Sequence, residues 1–226
     1  MTKNQASEFI GSIHEARRFH AGSAVPGAGS LSVVDGDLDL DRAETAVKEL
    51  FEALGVELSG ADVADTPRRV AAMYQELLTP RPFNPTSFPN DAGYDELVLS
   101  KDIPFTSLCA HHALPFSGVA HVGYLPGERI LGLSKLARVV HYFSRSLQVQ
   151  ERLTKQVADW LQEELRPRGV GVVIEAEHLC MTVRGVQAAG AKTITSTMYG
   201  LLRERVAARQ EFLSLVRASS AAKGVW

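Results

Sequence analysis

Apolar residues recur at helical spacing in two segments of the first third of the chain. From Leu40 to Leu54 they alternate spacings of three and four, which places them on one helix face. Asp39 suits the positive N-terminus of this helix, and Gly55 suits its end. A second helix is predicted from Thr66, whose hydroxyl would cap it, with Pro67 in the first turn. Both segments are therefore predicted to be amphipathic helices.

Beyond residue 96 the pattern changes to short, alternating or β-branched stretches. These predict strands over residues 97–108, 117–125, 170–184 and 192–201. Helical spacing returns over residues 134–165, as two segments, and over 203–217. The resulting order, β-β-α-α-β-β and then a helix, predicts an α+β fold: an antiparallel sheet with helices on one face.

The chain divides into three predicted parts. Residues 1–37 hold too few large apolar side chains to offset the entropy of ordering them, and are predicted to be a flexible tail. Residues 38–95 form a helical N-terminal extension that ends in a proline-rich connection. Residues 96–226 form the sheet domain with its C-terminal helix, and they carry most of the candidate chemistry.

Composition excludes several classes of protein. The 226 residues include 24 Lys and Arg and 26 Asp and Glu, so the formal net charge is -2. A protein whose whole surface binds nucleic acid would be strongly basic, so no nucleic-acid partner is expected. No apolar run approaches the roughly 20 residues needed to cross a bilayer, so no membrane association is expected. The first thirty residues lack a secretory pattern, and we expect a cytoplasmic protein.

The only two cysteines, Cys109 and Cys180, each lie close to histidine. His111 and His112 follow the first cysteine, and His178 precedes the second by two positions, which on a strand places both side chains on one face. Thiolate and imidazole are the ligands that zinc favours. Paired C-x2-C motifs of a structural zinc site are absent. Three ligands with an open position are typical of a catalytic zinc, and the residues alone leave open which of the five are the ligands.

Two further groups suit a nucleotide. Ser134 opens a predicted helix with Lys135 and Arg138 in its first turns, a combination of hydroxyl, cations and free N–H groups that binds phosphate. Arg184 shares strand parity with Cys180, about 13 Å along the predicted strand. Gln150 and Glu151 lie between the two helical segments. A carboxylate there can accept two hydrogen bonds from the N1–H and exocyclic amine of guanine, with the amide as a neighbouring donor.

Six short motifs, in this order, resemble those of the GTP cyclohydrolase I family. The match runs from about residue 40 to about residue 216, and the order and spacing of the motifs make it specific. They are Asp65–Val70, Cys109–His112, Gly132–Arg138, Gln148–Thr154, His178–Met181 and Arg184–Val186.

The resemblance implies conversion of GTP to 7,8-dihydroneopterin triphosphate and formate, the entry to folate and pterin synthesis. It implies the tunnelling fold, in which β-β-α-α-β-β units join their sheets into a barrel, and a toroidal homodecamer with active sites between subunits.

It also implies residue roles. The ligands of one Zn2+ would be Cys109, His112 and Cys180. The proton-transfer residues would be His111 and His178. The side chains that hold the triphosphate would be Ser134, Lys135, Arg138 and Arg184, and those that read guanine would be Gln150 and Glu151.

One position departs from the family pattern. The family commonly has glutamate between the zinc-binding cysteine and the two histidines, and this chain has Ala110. Two alternatives therefore accompany the main hypothesis: a diverged paralogue that stops at an earlier intermediate or uses a related guanine nucleotide, and a non-catalytic zinc- and nucleotide-binding module. A zinc nucleobase deaminase is disfavoured, because the H-x-E and P-C-x-x-C motifs of that class are absent.

Overall fold

A computed structural model describes residues 38–218, so the predicted tail over residues 1–37 lies outside the described part. The two helices of the extension are α1 (Leu40–Ala53) and α2 (Thr66–Leu78). The Asp39 carboxylate accepts a hydrogen bond from the backbone N–H of Arg42 at 2.9 Å, so the acidic residue expected near the N-terminus of α1 is the residue that caps it. The predicted cap of α2 was wrong by one residue, because Asp65 takes the cap position and Thr66 is already helical.

A five-stranded sheet organises the rest of the chain. The elements after the extension are β1 (Ser87–Pro89), β2 (Val98–Cys109), β3 (Pro115–Leu125), β4 (Arg129–Leu131), α3 (Ser134–Ser144), β5 (Leu147–Gln148), α4 (Gln150–Leu165), β6 (Gly169–His178), α5 (Leu179–Thr182), β7 (Thr193–Gly200), α6 (Leu201–Glu204) and α7 (Val206–Arg217). The strand order of the five-stranded sheet is β5-β2-β3-β6-β7, with the short β5 parallel to β2 and every other pair antiparallel. A second, two-stranded sheet pairs β1 with β4.

The main core lies between one face of this sheet and the helices α3 and α4. Phe116 and Val122 of β3 are fully buried there against Leu136 of α3 and Leu153 of α4. The predicted α+β fold with its β-β-α-α-β-β order is confirmed. The C-terminal helix α7 packs against the sheet through a smaller cluster centred on Phe212.

Close backbone approach explains two glycines beneath α7. A Cβ on Gly123 would come within 3.1 Å of the Phe212 ring, and one on Gly171 within 3.0 Å of it. These contacts are tighter than ordinary packing allows, so glycine at both positions lets the ring lie directly on the strands.

The predicted strand over residues 170–184 is wrong beyond His178. β6 pairs with β3 as far as Phe116, opposite His178, and with β7 only as far as Ala176. Past that point the backbone has no partner strand, so its polar groups bond locally instead. The N–H of Val183 donates to the carbonyl of Leu179 at 3.1 Å, closing the single turn of α5.

No helix among residues 38–218 is long and apolar enough to span a membrane.

Candidate metal centre and active site

A tight turn at the end of β2 presents the first half of the site. The carbonyl of Cys109 accepts hydrogen bonds from the N–H groups of His112, at 3.3 Å, and Ala113, at 2.8 Å. Ala113 has a φ of 53°, which reverses the chain before β3 begins. The Tyr74 hydroxyl of α2 donates to the carbonyl of Ala113 at 3.3 Å. The helical extension therefore buttresses the turn that carries the two histidines.

Three potential metal ligands meet where this turn faces α5. The Cys109 Sγ, the Cys180 Sγ and a ring nitrogen of His112 all lie within 4.8 Å of one another. The two sulfurs are 3.8 Å apart, and the Cys109 Sγ lies 3.8 Å from the His112 Nδ1. The sequence predicted all three residues, although its strand-parity argument for Cys180 fails because Cys180 lies in a helical turn.

These distances fit a tetrahedral site. Zinc bonds of about 2.3 Å to sulfur and 2.0–2.1 Å to nitrogen give tetrahedral edges of about 3.8 Å between sulfurs and about 3.6 Å between sulfur and nitrogen. The observed separations agree with both edges to within a few tenths of an ångström. The donor set and its spacing therefore suit a zinc ion with three protein ligands.

The thiols themselves show why a cation is favourable here. Burial raises the pKa of Cys180, the neighbouring Cys109 raises it further, and the Arg184 guanidinium lowers it. Two adjacent thiolates repel each other unless a divalent cation lies between them. A bound metal would therefore stabilise the deprotonated pair.

His111 and His178 lie beside the three ligands without belonging to the group. The His111 Nδ1 is 3.9 Å from the Cys109 Sγ, and its exposed ring meets that of His112 edge to face. His178 ends β6, and its ring stacks on Phe116 with centroids 4.4 Å apart and planes 2° apart. Burial lowers the pKa of His178, while the charge of Glu151 raises it. The ring of His111 is therefore open to solvent, while that of His178 is half-buried against Phe116.

The two residues predicted to read guanine occupy different environments. Gln150, the first residue of α4, is 2% exposed. Its side-chain oxygen lies 2.8 Å from the Nε2 of His178, and its amide nitrogen has three partners in the protein. Glu151 is exposed in the first turn of α4, near enough to His178 to influence its charge. Glu151 is therefore the member of the pair that faces solvent.

The predicted phosphate-binding helix begins at Ser134, as expected. Two hydrogen bonds fix the chain just before this helix. The N–H of Gly132 donates to the carbonyl of Thr86 at 2.9 Å, and the N–H of Leu131 donates to the Tyr124 hydroxyl at 2.9 Å. Ser134 and Arg138 are exposed. Within residues 38–218 no carboxylate forms an ion pair with Lys135 or Arg138.

Arg184 lies in the loop after α5 and is exposed. Its predicted separation of about 13 Å from Cys180 rested on a continuous strand. The structure instead folds the chain back, so that the Arg184 charge acts on the Cys180 thiol. The helical turn of α5, and not an extended strand, therefore brings the Arg184 guanidinium close to Cys180.

Several supporting residues carried no sequence signal. Phe116, Tyr74 and Thr195 each contact the site through tertiary structure alone. An aromatic residue on a strand and a threonine on an edge strand are common, so no local pattern distinguishes these from ordinary core residues.

Comparison with known proteins agrees with this arrangement. The family model for GTP cyclohydrolase I matches residues 43–217. The chain belongs to the GTP cyclohydrolase I family. It is 47% identical over 180 residues to GTP cyclohydrolase 1 of Aquifex aeolicus, a match that covers 80% of this chain and 98% of that protein. It is 52% identical over 188 residues to GTP cyclohydrolase 1 of Streptomyces avermitilis, covering 81% and 93%. The resemblance predicted from the motifs is confirmed.

Proposed function

We propose that this protein hydrolyses and rearranges GTP to 7,8-dihydroneopterin triphosphate and formate, the first step of folate and pterin synthesis. The observation that carries the proposal is the convergence of Cys109, His112 and Cys180, in a chain of this family, beside two further histidines. The predicted cytoplasmic location is part of the same proposal.

The metal of this proposal is zinc, held by Cys109, His112 and Cys180. When bound with an open position, zinc supplies Lewis-acid chemistry and lowers the pKa of coordinated water toward about 7. Seven residues of the chain then have roles toward the substrate that the ion does not fill: His111, His178, Ser134, Lys135, Arg138, Arg184 and Glu151.

His178 and His111 are proposed to move protons. Opening the imidazole ring of guanine adds water to the C8–N7 double bond, with the oxygen on C8 and a proton on N7, and then breaks the C8–N9 bond as N9 takes the second proton; protonation of N7 makes C8 electrophilic. His178 is suited to that step because imidazole can take up and release a proton near neutral pH; burial lowers the pKa of this ring and the charge of Glu151 raises it. A second water releases formate, the ribose rearranges, and ring closure releases water. His111 is exposed and can exchange protons with solvent in these later steps.

The triphosphate is proposed to bind at the N-terminal end of α3. Ser134 offers a hydroxyl, and Lys135 and Arg138 offer charges that no carboxylate within residues 38–218 neutralises. Arg184 supplies a fourth group from the loop after α5. Charge-assisted hydrogen bonds from guanidinium groups to phosphate are among the strongest in proteins. Part of this set is proposed to reach the nucleotide from a neighbouring subunit.

Guanine recognition is proposed for Glu151. Its carboxylate is exposed beside His178 and accepts from both the N1–H and the exocyclic amine of guanine. Adenine lacks both donors in that arrangement, so the Glu151 carboxylate would have no partners on adenine and would discriminate against it.

The assembly is proposed to be a toroidal homodecamer. The α1 face predicted to be apolar is not covered by residues 38–218: Leu50 is 57% exposed and Leu54 is 68% exposed. On the edge strand β7, Ile194 is also 64% exposed. Subunit contacts would bury these side chains and provide β7 with a partner strand. Analytical ultracentrifugation that finds only monomer at working concentration contradicts this part.

The decisive experiment incubates zinc-loaded protein with GTP and measures formate together with the fluorescent pterin formed on oxidation. Both products are expected in equal amounts, and ATP should give neither. A Cys180→Ala variant, checked for folding by circular dichroism, serves as the matched metal-free control. Folded, zinc-loaded protein that releases neither product contradicts the proposed function. If such protein still binds GTP, it is a binding module.

Ala110 motivates one second candidate, a paralogue whose reaction stops early. The backbone N–H of Ala110 donates to the carbonyl of Gln148 at 2.9 Å, so the turn keeps its shape without a glutamate side chain. Formate without pterin, or turnover of a related guanine nucleotide in place of GTP, would favour this candidate. Restoration of pterin formation by Ala110→Glu would then assign the difference to this position.

A further inference from the structure

Gln150 lies directly behind His178 and is shielded from solvent. It is 2% exposed, and its side-chain oxygen is 2.8 Å from the Nε2 of His178. Its amide nitrogen carries two protons and has three acceptors within reach: the carbonyls of Ile174 at 3.1 Å and Thr193 at 3.0 Å, and the Thr195 hydroxyl at 3.2 Å, so one of these protons is shared between two acceptors.

These contacts determine which end of the amide faces the histidine. Carbonyl oxygens only accept hydrogen bonds, so the two carbonyl contacts require the Gln150 nitrogen, and not its oxygen, to face them. The oxygen must then face His178. Because that oxygen is also only an acceptor, the Nε2 of His178 must carry the proton that joins them.

Thr154 and Thr195 form a hydrogen-bonded pair next to the Gln150 amide. The Thr154 hydroxyl donates to the backbone carbonyl of Gln150 at 2.7 Å and lies 2.6 Å from the Thr195 hydroxyl. Since the proton of Thr154 is already used, Thr195 donates to Thr154, and the Thr195 oxygen shares one of the two amide protons of Gln150 with a backbone carbonyl. The protons that join His178 to Gln150 and Thr195 to Thr154 are therefore assigned, and flipping the amide would break several bonds at once.

We propose that Gln150 is a positioning residue for the reaction: it keeps a proton on the Nε2 of His178 and holds the ring against Phe116, so that Nδ1 is the nitrogen that exchanges a proton with the nucleotide. This rests on the proposed function, because it gives His178 a role only if a substrate nitrogen must be protonated. In neutral imidazole one nitrogen donates and the other accepts, so fixing Nε2–H leaves the Nδ1 lone pair facing away from Gln150.

The inference separates two residues that are adjacent in sequence. A Gln150 side chain that read guanine would have to leave four protein contacts, in a site where unpaired buried polar groups are costly. Glu151, one residue later and exposed, needs to break none of these. Substitution of Gln150 should therefore affect turnover, while substitution of Glu151 should affect nucleotide binding and choice of base.

The first test reads His178 directly, without substrate. In zinc-loaded wild-type protein labelled with 15N-histidine, at a pH of about 8, above the ordinary histidine pKa, we expect an Nε2–H signal protected from exchange with water. Loss of that signal in His178→Gln assigns it. Gln150→Met, similar in size but without an amide oxygen, should abolish the protection. Thr195→Val should keep it, because two carbonyls still orient the amide.

The second test separates positioning from base recognition. Gln150→Met should lower kcat with GTP about 10-fold to 100-fold, the range seen when the partner that orients a functional histidine is lost, and should leave KM within about twofold. The inference is overturned by an Nε2–H signal that stays protected in Gln150→Met. It is equally overturned by a variant that raises KM at unchanged kcat and alters the preference for GTP over inosine triphosphate. Wild-type protein that shows the protected signal but makes no pterin contradicts the proposed function and leaves the hydrogen-bond assignment standing.

Discussion

The Sγ atoms of Cys109 and Cys180 lie 3.8 Å apart, although 71 residues separate them in the chain. Cys109 ends β2 and Cys180 lies just past the end of β6, and the intervening strand β3 pairs with both. The strand register places the end of β2 and the end of β6 on either side of the start of β3, because Leu108 is opposite Pro115 and Phe116 is opposite His178. The metal centre is thus assembled at one end of three adjacent strands.

Metal content should depend on Cys180 and not on His111. Cys180→Ala removes one of three mutually close ligands, so zinc measured by elemental analysis should fall from about one ion per chain to nearly none. His111→Ala should retain zinc while losing turnover. Equal zinc in wild type and Cys180→Ala would contradict the assigned ligand set, as would loss of zinc in His111→Ala.

Arg138→Ala should weaken GTP binding. A charge-assisted hydrogen bond to phosphate contributes about 1.5–3 kcal/mol, so Kd from calorimetry should rise about 10-fold to 100-fold. Guanosine, which has no phosphate, should bind both proteins equally. Arg209→Ala removes an exposed arginine from α7 and is the matched control. Wild-type affinity for GTP in Arg138→Ala would refute a phosphate contact.

Gly118→Ala should destabilise the sheet. A Cβ at Gly118 would overlap the carbonyl oxygen of Glu175 and come 2.6 Å from the Cα of Ala176, both in backbone that cannot move without breaking the β3–β6 pairing. The free energy of unfolding should fall by about 1–3 kcal/mol or more. Ser117→Ala, an exposed neighbour, should change it by less than about 0.5 kcal/mol in the same denaturant titration.

Tyr124→Phe should affect the phosphate-binding helix through the backbone. The Tyr124 hydroxyl accepts a buried hydrogen bond from the N–H of Leu131, three residues before Ser134. Loss of that acceptor leaves a buried donor unpaired and should lower the free energy of unfolding by about 1–3 kcal/mol. KM for GTP should rise at nearly constant zinc content. A variant with wild-type stability and KM would show that the bond does not fix the start of α3.

Alkaline pH should lower the free energy of unfolding as Tyr124 loses its proton. Burial raises the pKa of Tyr124, and the Leu131 hydrogen bond lowers it less. The folded state then binds its proton more tightly than the unfolded state, so this contribution is fully present below pH of about 10 and is lost as pH rises through the raised value. Urea midpoints measured from neutral pH upward should fall above about pH 10, and less steeply in Tyr124→Phe.

Local signals in the sequence were sufficient for the elements and the ligand types. Helical spacing predicted α1 and α4, and the cysteines flanked by histidine gave five candidate metal ligands, of which the structure brings three within 4.8 Å of one another. The strand prediction failed past His178, because residues 179–184 have strand-like composition and no partner strand. Whether a backbone segment is extended depends on what lies beside it, which the segment itself does not encode.

The amino-acid sequence alone determined the class of this protein, because chemistry resides in residue types and in spacings that local geometry conserves: sulfur and imidazole for a metal, cations at a helix start for phosphate. Only the tertiary structure decided which groups act together. Gln150 and Glu151 are neighbours in sequence and similar in size, yet one is enclosed by Ile174, Thr193 and Thr195 while the other faces solvent. Burial and hydrogen-bond direction arise from strands that are distant in the chain, so no local pattern contains them.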